Sequence, residues 1–261
     1  MKTRVIMPAI GVMLLTAGCK KELELDYRDI DPVLVVEANL GEGGVTAVLT
    51  QTTPMDEPMN RTRLTDAVVT LSGADGGNEQ LVAGADGVYS AAIVPTPGVS
   101  YSLEVERPGG FRAVSECVMQ HRATIAEAGF SWISMPYDEV AVLSVYVNDP
   151  PERGDAYWLR VFRNGEVYAW VVADDRFALD GRLEMSMMTA RRNPTDPDDE
   201  DNLDDGDVLT ISVAAIPPHV YDYLTRLSAH AVAGPTTFTG HFCLGYFLAS
   251  TPSETSVTFS R

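Results

Sequence analysis

From Pro32 onward the chain is written in short runs of alternating apolar and polar residues, broken repeatedly by Gly, Pro, Asn and Asp. That alternation most constrains the fold, because successive side chains on a strand point to opposite faces. In Val99 to Glu106, Tyr101, Leu103 and Val105 share one face, while Ser100, Ser102, Glu104 and Glu106 share the other. A strand of this kind has one buried and one wet face. Many short strands at this spacing predict an antiparallel sandwich. The expected strands are Pro32 to Leu40, Val45 to Gln51, Ala67 to Leu71, Glu79 to Ala83, Val88 to Ile93, Val99 to Glu106 and Phe111 to Met119. Asp75-Gly76-Gly77, Asp86-Gly87 and Pro108-Gly109-Gly110 supply turns, and Thr52 to Thr65, with Pro54 and Pro58, reads as a polar loop. Gln120 to Phe130 is less regular and reads as a link between sheets or domains.

Strand alternation resumes over Glu139 to Val147. The strongest hairpin signal follows, with Tyr157 to Arg163 and Glu166 to Val172 flanking Asn164-Gly165, a type I′ pair. The simplest register pairs 163 with 166, 161 with 168, 159 with 170 and 157 with 172. It puts Tyr157, Leu159, Val161, Tyr168, Trp170 and Val172 on a core face and sets Arg163 opposite Glu166. Trp158, Arg160 and Phe162 then share the opposite face, either covered or half-open. After Pro217-Pro218, Val220, Leu224, Leu227 and Ala231 recur at helical spacing, with His230 in the last turn and Gly234-Pro235 as the stop. Leu244 to Ala249 and Ser256 to Phe259 close the chain as strands. The fold class expected is mostly β: an N-terminal antiparallel β-sandwich (Ig/prealbumin-like) over 32–120, then a C-terminal β-rich module over 121–261 with one amphipathic helix, 218–232.

The first residues carry an address. Lys2 and Arg4 precede an apolar run, Val5 to Leu15, and small residues Thr16-Ala17-Gly18 lead to Cys19. The run is shorter than the roughly 20 residues of a membrane span. Basic start, short apolar core and small-residue cleavage site form a secretory signal, 1–18. A cysteine at the cleavage site is what lipid transfer needs, so Cys19 is the expected lipid attachment residue. Thr16 stands where Leu is usual in such sites, and an ordinary cleaved signal is the weaker alternative. Residues 19–31, beginning Lys20-Lys21-Glu22, read as a charged tether. Several acyl chains hold a protein on a membrane stably, whereas one does so marginally.

The 37 acidic and 19 basic residues give a formal charge of −18. Two of the basic residues, Lys2 and Arg4, lie in the signal, so the rest carries about −20. Such a chain repels nucleic-acid phosphates and anionic lipid surfaces, leaving the lipid tether as the membrane contact. Cys117 and Cys243 remain after Cys19. They read as two buried small side chains, with a bridge between the halves as the weaker alternative in an oxidising envelope.

Candidate chemistry is sparse. The run Asp196 to Asp207 offers Asp196, Asp198, Asp199, Asp201, Asp204, Asp205 and Asp207 as oxygen donors for Ca2+. EF-hand spacing fails, because Leu203 falls where a ligand is needed, and a solvated acidic loop that buries little is the stronger reading. Asp174-Asp175-Arg176, near Asp180-Gly181, reads as turn chemistry before it reads as a ligand site. Trp132, Trp158 and Trp170 could form a sugar-stacking platform, though at strand spacing core is favoured. The ligand-site candidates are therefore Trp158, Asp174, Asp175 and Arg176. His121, His219, His230 and His241 have no metal spacing, and no nucleophile elbow, zinc motif or phosphate loop is present. No catalytic residue and no cofactor other than calcium is expected. An enzyme assembled from distant residues stays open.

Two resemblances are carried by quoted residues. Asp66-Ala67-Val68-Val69-Thr70-Leu71, Gly87-Val88-Tyr89 and Pro97 to Leu103 resemble a carboxypeptidase-regulatory or prealbumin-like sandwich over residues 64–106. The whole chain after the signal resembles the "domain of unknown function 4249" family of Bacteroidota outer-membrane lipoproteins. The pieces, in order, are Cys19, Pro32-Val33-Leu34-Val35-Val36-Glu37, the sandwich, Tyr157-Trp158-Leu159-Arg160-Val161, and Asp174-Asp175-Arg176 with Asp180-Gly181. Gly206 to Thr210, Tyr221-Asp222-Tyr223-Leu224 and Leu244-Gly245-Tyr246-Phe247 complete them. His241-Phe242-Cys243 stands where small or polar residues are usual. The resemblance implies an outer-membrane lipoprotein, often beside a nutrient transporter, and no assigned reaction. The expected role is a lipid-anchored, non-enzymatic accessory that binds a ligand or partners such a transporter. An enzyme acting on glycan or peptide, or a structural or adhesion module, is the alternative.

Overall fold

A computed structural model describes residues 31–53, 62–134, 139–150, 154–192, 203–229 and 236–260. Cys19, the signal and most of the tether lie outside these residues, as do Asp196, Asp198, Asp199, Asp201, His230, Ala231 and Gly234-Pro235. Asp31–Arg261 forms one compact unit.

Among the described residues the strands form three sheets. The largest contains β1 (Leu34–Gly41), β2 (Gly44–Gln51), β3 (Val68–Gly73), β4 (Asn78–Ala83), β5 (Val88–Ala91), β6 (Ser100–Arg107) and β7 (Phe111–Val118). Two late strands, β14 (Thr239–Gly240) and β15 (Leu244–Ala249), complete it in the order β14-β7-β6-β3-β4-β5-β2-β1-β15. The inward residues of its two halves, such as Val36, Ala38 and Leu49 from one and Leu71, Leu103 and Val105 from the other, share one core. The sheet is therefore folded over on itself. β4 makes the corner: its first four residues pair with β3 and its last two with β5.

The seam is closed by a segment far along the chain. β14 pairs with β7, and Thr236 bridges to Gly245 of β15. The Thr237 hydroxyl lies 2.8 Å from Ser115 Oγ and accepts the Phe247 N–H at 3.1 Å. β15 runs parallel to β1, with Glu37 beside Tyr246 and Ala38 beside Phe247. Gly245 has φ +113, and a Cβ there would lie 1.9 Å from the Val36 carbonyl oxygen, so this close approach admits only glycine.

The other two sheets face each other. One is β11-β10-β13-β16, built from β10 (Ala156–Arg163), β11 (Glu166–Asp174), β13 (Val208–Ile216) and β16 (Ser253–Thr258). The other is β12-β9-β8, built from β8 (Thr124–Ser134), β9 (Glu139–Asn148) and β12 (Arg182–Arg192). Leu143, Val145, Tyr157, Leu159, Val161, Leu209, Ile211 and Phe259 fill the core between them. The helix α1 (Pro218–Ser228) packs against β10, β11 and β15.

The chain is thus mostly β with two sandwich cores, and most expected strands stand within a few residues of their predicted ends. Five differences have physical causes. Gln120 to Phe130 is not a link, because Thr124–Ser134 is strand β8; a bulge between Ile125 and Glu127 breaks the alternation that would have marked it. The hairpin turn is of the expected kind, with Asn164 at φ 54 and Gly165 at φ 87. Its register slips, however, at a bulge at Tyr168, so Val161 faces Ala169, Arg160 faces Trp170 and Trp158 faces Val172. Trp170 and Val172 consequently leave the predicted face and join Trp158. The boundary drawn between 120 and 121 does not separate the cores, since β14 and β15 belong to the first sandwich.

The helix is also shorter than 218–232, ending at Ser228 with Ala229 as its cap. Its buried stripe is Val220, Tyr223 and Leu224, whereas Leu227 is 45% exposed. Finally, Leu203 is not a loop residue of no consequence, because it is fully buried in the second core. The turn that carries it is clamped: Gly206 N–H donates to Phe259 O at 2.9 Å and Phe259 N–H to Asp207 O at 2.8 Å. The last strand, placed by sequence at Ser256 to Phe259, pairs over Ser253–Thr258.

Cys117 and Cys243 are free and buried. Ala249 N–H donates to the Cys117 sulfur at 3.2 Å. Cys243 precedes Ala249 along an extended strand by roughly 20 Å, at about 3.3 Å per residue, far beyond the roughly 7 Å a bridge tolerates between Cα atoms. Burial pushes both thiols up to about 11. Neither should be alkylated in the native protein at neutral pH, and both should react in denaturant without prior reduction. Mass shifts after iodoacetamide treatment check this.

Stability separates the buried from the exposed leucines. Leu203→Ala and Leu224→Ala should each cost about 2–5 kcal/mol, and Leu227→Ala under about 1 kcal/mol, in urea unfolding.

Candidate functional site

The four-stranded sheet is covered on both faces. Tyr157, Leu159 and Val161 of β10 point into the second core, while Ala156 and Trp158 point into the first. The second of these faces meets Tyr246 of β15 and the helix, and an aromatic cluster forms there. Trp158 stands edge-on to Tyr246, with ring centroids 5.8 Å apart, and edge-on to Trp170 at 6.4 Å. Tyr223 from the helix leans on Tyr246 at 5.4 Å. Edge-to-face geometry sets the positive ring edge against a neighbour's negative face and adds to the burial energy. The hydroxyl of Tyr246 accepts the Asn39 side-chain N–H at 3.4 Å. Burial pushes the phenols of Tyr223 and Tyr246 upward, so both stay neutral at physiological pH.

Arg160 lies along this cluster. Its guanidinium carbon sits 4.6 Å from the Trp158 ring centroid and 5.8 Å from that of Phe162. Arg160 faces Trp170 on one side and Ser212 on the other. Burial lowers its pKa, and the charge of Glu254, across from Ser212 on β16, opposes that shift. Arg160 Nε, Trp158 Nε1 and Ser212 Oγ are buried and have no hydrogen-bond partner. Buried polar atoms are nearly always paired, so three unpartnered donors on one patch of sheet are unusual.

The other sequence candidates serve the backbone. The Asp174 carboxylate caps the short 3-10 turn Asp175–Phe177 by accepting Arg176 N–H, and pairs with the Arg176 guanidinium at 2.5 Å. Arg176 holds the Asp174 carboxyl below its usual value. Asp175 is buried, and its Oδ2 accepts Gly154 N–H at 2.6 Å and Asp155 N–H at 3.3 Å, pinning the entry to β10. Asp180 and Gly181 have φ 51 and 74, the conformation of a tight hairpin turn. Only Trp158 of these candidates reaches the cluster. Trp132 stands apart in the second core beside Phe259, so the tryptophans make no common platform. In the acidic run, Asp207 is engaged by Arg163 at 2.7 Å, and Asp204 lies 3.6 Å from the same guanidinium. Among the described residues no group of three or more His, Cys, Asp and Glu is placed to hold a metal. Sequence reasoning missed Ser212, Tyr246 and the place of Arg160 in the cluster. The signal for Arg160 was available: a cation in the middle of a buried hydrophobic strand needs a reason.

Two curled sandwiches joined through an aromatic face define a β-sandwich protein. The chain belongs to the family Domain of unknown function (DUF4249), whose model matches residues 20–256. No curated protein matches it. Similar solved structures include a two fibronectin type-III domain segment from chicken tenascin, 11% identical, with a TM-score of 0.26, covering 88% of this chain and 100% of that one. A DUF3823 family protein from Parabacteroides merdae is 12% identical at a TM-score of 0.22, covering 72% of this chain and 92% of its own.

Removing the Asp175 carboxylate orphans two backbone N–H groups, so Asp175→Ala should cost about 1–3 kcal/mol. Arg176→Ala, which removes an exposed guanidinium, should leave the melting temperature nearly unchanged. Comparing the two melting curves checks that this turn is structural.

Proposed function

We propose that this protein is a lipid-anchored, non-enzymatic accessory of the outer membrane that binds a ligand at the aromatic junction and works beside a nutrient transporter. The observation that carries the binding part is the patch around Arg160, where a cation, two tryptophans and unpaired buried donors lie together. Pockets for small ligands combine apolar walls with a few polar groups, and this patch has both. The membrane part is supported by the apolar leader that ends at Cys19, and by the charge of the chain, which leaves a lipid as the means of attachment. The transporter part is supported by family resemblance.

Cys19 is expected to be the first residue of the mature protein and to carry acyl chains. Intact mass measurement of the membrane-extracted protein reads this directly, and an unmodified terminus beyond Cys19 refutes the anchor. Cys19→Ser should leave the precursor unprocessed or released from the membrane. Mild detergent extraction from native membranes should bring an outer-membrane barrel with the wild-type chain. Its absence from cross-linked extracts removes the transporter from the reading without touching the anchor.

A further inference from the structure

In a chain with nearly two acidic residues for each basic one, a cation has many carboxylates to choose from. The described arginines that make ion pairs do so readily: Arg107 with Asp66, Arg122 with Glu42, Arg163 with Asp207 and Arg176 with Asp174. Arg160 is different. Among the described residues no carboxylate lies within ion-pair distance of it, and it is half-buried against Trp158 and Phe162. Burying an unpaired charge is costly, and so is leaving a buried donor without an acceptor. Here the costs coincide on one patch, because Trp158 and Arg160 are alternate residues on the same face and Ser212 is directly across from Arg160. All three supply donors and none supplies a negative charge. A group that relieved them would be an anion with acceptors in a plane, since a guanidinium matches a carboxylate as two parallel N–H···O bonds. The surrounding acidic charge disfavours multiply charged anions such as phosphate esters and favours a monoanion. Of the rings around the guanidinium, Trp158 and Tyr246 are buried, whereas Trp170 and Phe162 are partly exposed and can meet the body of such a ligand.

We propose that the Arg160 corner of the junction is a binding site for a carboxylate-bearing ligand, with the guanidinium as the fork, the Ser212 hydroxyl and the Trp158 indole N–H as flanking donors, and the partly exposed Trp170 and Phe162 rings against the ligand body. The proposal rests on the reading of this protein as a ligand-binding accessory and adds the chemical class. A sugar acid and a peptide C-terminus present the same carboxylate, and both fit the corner. Glu254, exposed on the neighbouring strand across from Ser212, acts as a through-space counter-charge of Arg160 and competes with the ligand.

The test uses the full chain in detergent, with indole fluorescence and melting temperature as readouts. The probes are sodium glucuronate and its neutral methyl ester, trialanine and its C-terminal amide, and glucose. The expected result is saturable change with glucuronate or trialanine in the millimolar range and at least about tenfold weaker response to the matching ester or amide, a factor worth about 1.4 kcal/mol. The acid that binds more tightly names the source of the carboxylate. Arg160→Gln should weaken binding at least about tenfold. Glu254→Gln changes only an exposed side chain, so it keeps the fold, and it should tighten binding about two- to threefold by removing the competing charge. Equal binding of acids and neutral probes, or full affinity in Arg160→Gln, overturns the carboxylate site while leaving a ligand-binding junction in place. Unchanged or weaker binding in Glu254→Gln also overturns it. No response to any probe up to about 100 mM overturns both the carboxylate site and the binding role of the junction.

Discussion

The structure depends on the fact that β10 is covered on both sides. A strand buried on two faces must be apolar at both parities, and Ala156 to Val161 meets that requirement with Ala156, Tyr157, Trp158, Leu159 and Val161, all buried. The odd residues build the second core and the even ones dock on the first sandwich and the helix. Without that second contact the two sandwiches would be separate domains on a linker, and there would be no junction. Arg160 is the exception in the run, and it sits where the docked face gives way to the exposed Glu254 and Ser256 on the neighbouring β16. A charge tolerated at such a border keeps a path to solvent while its stem covers apolar rings.

The docking is held by a long-range return of the chain. β15 comes back to lie parallel to β1, so its inward residue Phe247 completes the first core while its outward neighbours Tyr246 and Leu248 face the other way. One strand thus serves both sides of the contact. The helix wedges against the same strand through Tyr223, and Pro217-Pro218 starts it directly after β13, leaving little slack between sheet and helix. This arrangement couples local events: a change at Gly245, where the backbone of β15 approaches Val36, would move Tyr246 and with it the ring that Trp158 abuts.

The perturbed titratable groups are mostly ones whose neutral form burial protects. The perturbed groups are phenols held neutral by burial, thiols held as thiols, and an arginine whose charge is only partly compensated. His219, at the start of the helix, is held below its usual value by burial and so stays neutral near pH 7. None of these is a nucleophile with an adjacent base. The net acidic charge of the chain repels polyanions.

By itself the sequence determined the class of fold, because alternation of period two and the Asn-Gly, Asp-Gly and Pro-Gly-Gly turns are local physics that no tertiary contact needs to supply. It also determined the apolar leader ending at Cys19 and the acidic charge. Tertiary structure alone decided which face Trp170 occupies, since a bulge at Tyr168 shifts the register by one and exchanges the faces. Only the folded chain could show that Leu203 is core and Leu227 is not, because burial depends on whether a partner element reaches the residue rather than on its spacing. The parallel return of β15 and the pairing of Trp158 with Tyr246 join residues far apart in sequence, and no periodicity encodes such a contact. The candidate site follows the same division. Trp158 and Arg160 were visible as two residues on one face of an apolar strand, Ser212 joins them through the pairing of β10 with β13, and Tyr246 reaches them only because the two sandwiches close on each other.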